Sequence, residues 1–251
     1  MWPATGLAAS AAAIAKKHPS IDVLVNNAGI DLRHPSLTGD GFVTTIQVNH
    51  VAPALLSALL APALRASPNG GRVVEVASGS AYTMLAPTFA HGLDDLNTLY
   101  GWTRNASSLG WPNFYGLSKF LQIHRASEFA RREATNSGSA ITAFSVNPGF
   151  FRDLPPGKPI PAGIKKTCEE MFLFKPCPQN DAQGASGIVF AALTPGIEAE
   201  SGALLDYDTT LLARAPYVTQ TGDSCVPRAF PVWAESAAWF DRVQSAIAPW
   251  L

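Results

Sequence analysis

The stretch that decides the fold is Ile21–Ile30, IDVLVNNAGI. Its apolar, β-branched first half reads as a buried strand over Ile21–Val25. The Asn-Asn-Ala-Gly that follows reads as a loop built for close backbone contact. Upstream, GLAASAAAIAKK has helical composition, and His18-Pro19-Ser20 ends it before the strand. Downstream, residues 41–67, GFVTTIQVNHVAPALLSALLAPALRAS, read as one long helical segment with an interruption at Pro53. Pro68-Asn69-Gly70-Gly71 then turns the chain into RVVEVAS, a second buried strand.

The same alternation continues to the C-terminus. Residues 81–113 carry no clean period and are rich in Gly, Thr, Asn and aromatics, which predicts irregular structure over a site. FYGLSKFLQIHRASEFARREA restores helical spacing through Leu117, Phe120, Leu121 and Phe129, and Asn136-Ser137-Gly138 stops it before the strand ITAFSV. After a proline-rich excursion from Pro155 to Pro161, DAQGASGIVFAALTP supplies another helix, GALLDY a last strand, and WAESAAWFDRVQSAI a final amphipathic helix. Strands alternating with helices of this length predict an α/β fold, a three-layer parallel sheet covered on both faces, in a single domain over residues 1–251.

Composition narrows the function classes. With 251 residues, 47% of them hydrophobic, the chain can build one sizeable core. Its 18 Lys plus Arg against 19 Asp plus Glu leave no basic field for nucleic acid or an acidic membrane. A small molecule or another protein is the expected partner. Cys168, Cys177 and Cys225 are an odd number with no C-x-x-C spacing, so inert thiols are expected rather than a disulfide framework or a metal site. The N-terminal residues lack a basic region before an apolar core, which predicts no secretion signal and a cytoplasmic location. Val51–Leu64 falls short of the ~20 apolar residues a membrane span needs and carries prolines, so a packed helix explains it.

The chemistry concentrates at Tyr115-Gly116-Leu117-Ser118-Lys119, where the i, i+4 spacing puts a phenol and an ammonium on one helical face. A nearby positive charge favours the phenolate, so the expectation is a tyrosine shifted toward working pH and able to act as general acid or base. Ser78 ends the second strand, at the carboxyl edge where open α/β sheets bind ligands, and its hydroxyl could bind a substrate oxygen or be an ordinary turn serine. Asn147-Pro148-Gly149 ends the third strand with a restricted backbone that could run beneath a flat ring. Asn49 is polar in an apolar helix, and its amide or a locally opened carbonyl could hold a water.

Taken in order, Asn26-Asn27-Ala28-Gly29, Asn49 in VNHVAPALL, RVVEVASGS, Tyr115-x-x-x-Lys119 and Asn147-Pro148-Gly149 resemble the short-chain dehydrogenases/reductases, and most closely their retinol-dehydrogenase-like branch. The resemblance implies a Rossmann-type fold. It implies that Ser78 polarises the substrate oxygen, Tyr115 exchanges its proton, Lys119 lowers the tyrosine pKa and holds the nicotinamide ribose, and Asn49 anchors a proton-relay water. Asn26, Asn27, Ala28 and Gly29 would flank an NAD or NADP cofactor, NADP being preferred, with Pro148, Gly149 and Phe151 on its nicotinamide side. Residues 150–180 would form a substrate lid, in which Phe150, Phe151, Met171, Phe172 and Phe174 suggest an apolar ligand or are core residues under a loop.

The sequence departs from that pattern at its start. The family's glycine-rich T-G-x-x-x-G-x-G turn is expected well before Ile21, and Thr5-Gly6 does not supply it because the later glycines fall on Ser10 and Ala12. On this reading the fold is N-terminally truncated by about two βαβ-type units, which leaves Ile21–Val25 as an apolar edge inviting a homodimer or another partner. Asp153, after the proline-glycine motif, would repel a pyrophosphate. Three functions follow. The first is an NAD(P)-dependent oxidoreductase interconverting a carbonyl and a secondary alcohol. The second is a redox-silent isomerase, dehydratase or cyclase in a biosynthetic pathway. The third is a non-catalytic dimerisation module.

Overall fold

A computed structural model of the chain describes residues 4–32, 36–83, 114–136, 141–149, 181–205, 217–218 and 236–251. The expected lid at 150–180 with Phe151 and Asp153, the three cysteines and most of the 81–113 stretch lie outside the described residues.

The first helix, α1 (Ala4–Lys17), follows from its alanine run and closes with Lys16 and Lys17 in the last turn, where cations complement the carbonyl end. The strand β1 spans Val23–Asn26. It starts two residues later than the sequence predicts because Ile21 and Asp22 are held elsewhere. The Ile21 N–H donates to the Ala63 carbonyl, and the Asp22 carboxylate accepts from the Ser67 hydroxyl at 2.5 Å.

The long apolar segment forms one continuous helix, α2 (Thr44–Arg65). Pro53 does not break it; instead the backbone widens into a π-helical turn over Gln47–Val51, with the Ala52 N–H donating to the Gln47 carbonyl. Proline has no N–H, so Pro53 cannot take the Asn49 carbonyl that an α-helix would give it, and the wider turn accommodates the loss. This helix is long and apolar enough to cross a membrane by length and composition, yet its most apolar window is 67% buried inside the fold. It behaves as a core helix.

The strand β2 (Arg72–Val76) enters beside the end of α2, where a Cβ on Gly71 would come 2.6 Å from the Leu64 carbonyl oxygen. Only glycine permits that approach. A 3-10 turn over Gly79–Thr83 follows, then α3 (Phe114–Thr135), β3 (Thr142–Val146), α4 (Asp181–Leu193), β4 (Leu204–Leu205), β5 (Tyr217–Val218) and α5 (Ser236–Ile247).

Strands β1 to β4 pair in chain order, all parallel, and β5 adds antiparallel to β4. The sequence reading had no strand at Tyr217–Val218. Helices α2, α3 and α5 cover one face, where Val73, Phe129, Ile141 and Ala143 pack with Leu64 and Phe240, and a second cluster joins Ile46, Leu55, Phe120 and Leu121 to Trp239 and Ile247. Helix α4 covers the other face over Val74, Phe144, Val146 and Leu205. The architecture is the expected three-layer α/β sandwich of Rossmann type. Coverage thins at β1, which is the sheet edge among the described residues and leaves Val25 39% exposed.

Candidate active site

Three elements deliver their polar ends to one place: the loop after β1, the carboxyl end of β2 and the first turns of α3. Helix α3 begins at Phe114, so Tyr115 and Lys119 lie one turn apart on it, with the Lys119 ammonium 5.5 Å from the centre of the tyrosine ring. Tyr115 is half-buried, with its phenol within reach of the Ser78 hydroxyl, itself half-buried just past the end of β2. Lys119 is buried and donates to the Val76 carbonyl at 2.7 Å, so the ammonium is fixed to the same strand that carries Ser78.

Asn49 is fully buried in the π-helical turn of α2. Its Nδ2 donates to the Ile30 carbonyl and to the Ser118 hydroxyl, both at 2.9 Å, while its Oδ1 accepts from the Ile30 N–H at 2.8 Å. Both ends of the amide are thus engaged by protein groups, which corrects the expectation that the amide holds a water. Pro53 has no N–H to offer the Asn49 carbonyl, the other group from which a water was expected to hang. Ser118 passes the contact on by donating to the Tyr115 carbonyl at 2.7 Å. Sequence reasoning missed Ser118, although its place three residues after Tyr115 was a usable signal.

The electrostatics also correct the sequence reading. Burial raises the Tyr115 phenol above its ordinary value, the Ser78 hydrogen bond opposes this, and Asp31 adds to the rise. The lysine does not bring the tyrosine down in this state, because desolvation outweighs the neighbouring charge. Burial pushes Lys119 itself down to about 8.

The Asn26–Gly29 loop divides in two. Asn26 turns into the core, where its Nδ2 donates to Glu75 Oε1 at 2.6 Å and to the Ser57 hydroxyl at 3.1 Å. Asn27, Ala28 and Gly29 are exposed. A Cβ on Gly29 would lie 3.3 Å from both Asn49 Oδ1 and Lys119 Nζ, so the loop runs directly against the site. At the end of β3, the Asn147 side chain accepts from the Gly149 N–H at 3.2 Å, and Gly149 adopts φ +81, a conformation that favours glycine. Pro148 and Gly149 are half-buried there.

The family described as short chain dehydrogenase matches residues 4–90. Oxidoreductase calI of Penicillium decumbens is 30% identical over 235 residues, 89% of this chain and 62% of that protein. Retinol dehydrogenase 12 of Mus musculus is 31% identical over 184 residues, 72% of this chain and 51% of that protein. The chain spans about half the length of the curated relatives it matches. Among solved structures, a short chain dehydrogenase from Burkholderia cenocepacia in complex with NADP superposes with a TM-score of 0.54 at 22% identity, covering 82% of this chain and 71% of that one, and so shares the fold. The chain is thus similar to the short-chain dehydrogenase family in its first third by the family's model and over most of its length by its curated relatives.

Proposed function

We propose that the protein is an NAD(P)-dependent oxidoreductase that interconverts a carbonyl and a secondary alcohol on a small apolar substrate. The observation that carries the reading is the meeting of Tyr115 and Ser78 above a lysine anchored to the same strand. In the reductive direction Ser78 donates a hydrogen bond to the carbonyl oxygen and polarises it. Tyr115 then gives its proton to that oxygen as it becomes an alkoxide, and the reverse transfer serves oxidation. A phenol held protonated by burial is suited to the donor role.

The residues fit a nicotinamide riboside. Asn27, Ala28 and Gly29 present exposed backbone against Lys119, one of whose three N–H groups goes to Val76, and the Pro148-Gly149 turn supplies a restricted backbone for a flat ring. A nicotinamide held there supplies or accepts the hydride. Lys119 would bind the ribose hydroxyls, and the Asn49 carbonyl would hold a water at the start of a proton path through the lysine. The preference for NADP and the apolar substrate both rest on the resemblance to the family.

The test is direct. Protein with NADPH and a panel of apolar ketones should consume NADPH, and Tyr115→Phe should lower kcat by roughly 10²–10⁴-fold with little change in cofactor affinity. NADPH should bind more weakly as pH rises through about 8, where the Lys119 ammonium discharges. No NADPH binding at millimolar concentration, or full turnover in Tyr115→Phe, overturns the proposal.

A further inference from the structure

Below the site, the interior holds an ionic cluster that the proposed chemistry does not use. Glu75 sits in the middle of β2 and is fully buried. Its Oε1 meets the guanidinium of Arg125, also buried, and accepts from Asn26 Nδ2; its Oε2 accepts from Gln122 Nε2 at 3.2 Å. Two amide donors and one guanidinium, from two elements, therefore converge on one carboxylate, with Ser145 beside it in the β2–β3 register.

These contacts continue those of the site as one ladder between α3 and β2. From the top, Tyr115 meets Ser78, Lys119 meets the Val76 carbonyl, Gln122 meets Glu75 and Arg125 meets Glu75. The helix residues descend at intervals of four, three and three, which keeps them on one face. The strand partners descend from Ser78 through Val76 to Glu75, which takes the last two rungs. Apolar packing on either side of the ladder is non-directional and does not by itself fix how high α3 stands on β2. Directional rungs do. The Asn26 rung ties in β1 and, through Ser57, helix α2, so the loop that presses Gly29 against Lys119 is registered by the same carboxylate.

We infer that Glu75 and Arg125 are positioning residues, which set the height of α3 on β2 and so place Tyr115 and Lys119 against Ser78. The inference rests on reading Tyr115 as the proton-transferring group. A 1 Å misplacement of such a group lowers a rate by roughly 10²-fold, and the Tyr115–Ser78 contact is the rung farthest from the anchor. Among the described residues, the polar and charged groups that face Tyr115 include Ser78, Lys119 and Asp31, and those that face Arg125 include Glu75 and His50.

The test replaces the pair without stranding a charge. Glu75→Leu/Arg125→Met should fold, yet lose about 10²-fold in kcat at little-changed KM. Cζ-labelled tyrosine NMR, with Tyr115→Phe assigning the signal, should show the phenol titrating at higher pH, because its Ser78 bond lowers it and would be weakened. A folded double variant with the wild-type titration and kcat overturns the inference. Should that variant not fold, Gln122→Leu removes one rung and leaves no charge unpaired. It should move the Tyr115 titration the same way by less, and an unmoved titration overturns the inference equally. If Tyr115→Phe retains full turnover, the catalytic reading fails, while the NMR titration still decides the positioning role.

Discussion

Along β2, Val73, Glu75 and Ala77 face the α2/α3 layer, whereas Arg72 and Val74 face α4. On the α4 side the interior is apolar, built from Val74, Phe144, Val146 and Leu205. Among the described residues its charges stand at the rim, where Arg72 donates to the Ala191 and Thr194 carbonyls and pairs with Glu198, half-exposed at 50%. The α2/α3 layer buries Glu75, Arg125, Lys119, His50 and His124. Burial of apolar surface gives the first face its stability. The second gives up part of that gain, since charges removed from water carry a desolvation penalty that pairing only partly offsets. What it gains is direction, and the site stands at its upper end.

The largest expected effect breaks this contrast at its centre. Arg125→Met alone leaves the Glu75 carboxylate buried without its counter-charge and should cost about 3–5 kcal/mol in denaturant unfolding. Glu75→Leu/Arg125→Met should recover part of that loss, because an apolar pair has no charge to desolvate, while the Asn26 and Gln122 amides lose their acceptor at about 1–3 kcal/mol each. Phe144→Ala on the opposite face should also cost about 3–5 kcal/mol, but no second substitution of a polar neighbour can rescue it. A double variant no more stable than Arg125→Met would show that the carboxylate, with its Asn26 and Gln122 bonds, stabilises outright.

An effect smaller per pH unit separates the faces by titration. Burial, with Arg125 adding to it, holds His50 down to about 3, and burial holds His124 down to about 4. Trp239 Nε1 donates to His50 Nε2 at 2.9 Å, so the neutral ring carries its proton on Nδ1 and protonation would break that bond. As pH falls below 6.5 the unfolded chain takes up both protons and the native one does not. Stability must therefore fall by about 1.4 kcal/mol per pH unit for each histidine down to about pH 4. His50→Gln keeps an acceptor for Trp239 and cannot titrate, so it should remove about half of that slope; an unchanged slope would place the acid sensitivity elsewhere.

The same contrast explains what the sequence disclosed. Elements with strong local signals were legible: the alanine run of α1, the β-branched runs of β2 and β3, and the i, i+4 pair Tyr115 and Lys119. Their meeting with Ser78 was legible from order along the chain alone. The three contacts of the Asn49 amide and the inward turn of Asn26 depend on partners 19 to 69 residues away, which no local pattern encodes. The raised Tyr115 phenol was misread for a related reason, since a charge four residues off is visible in a sequence and the depth of burial is not. Glu75 was the one available clue to the cluster: a carboxylate in the apolar strand RVVEVAS.

The smallest effect tests whether position rather than chemistry separates the two Arg–Glu pairs. Arg72 and Glu198 approach to 2.5 Å, but the carboxylate is half in water, and Arg72 keeps two backbone carbonyls without it. Glu198→Gln should therefore cost less than about 1 kcal/mol. That cost should shrink further in about 1 M salt, where the screening length falls to about 3 Å. The same pairing of side chains would then differ several-fold in worth between the rim of one face and the interior of the other. A loss above about 2 kcal/mol for Glu198→Gln would mean that Arg72 draws real stability from the pair. The α4 face would then also be held by a directional charge, and the division between a face that stabilises and a face that positions would not hold.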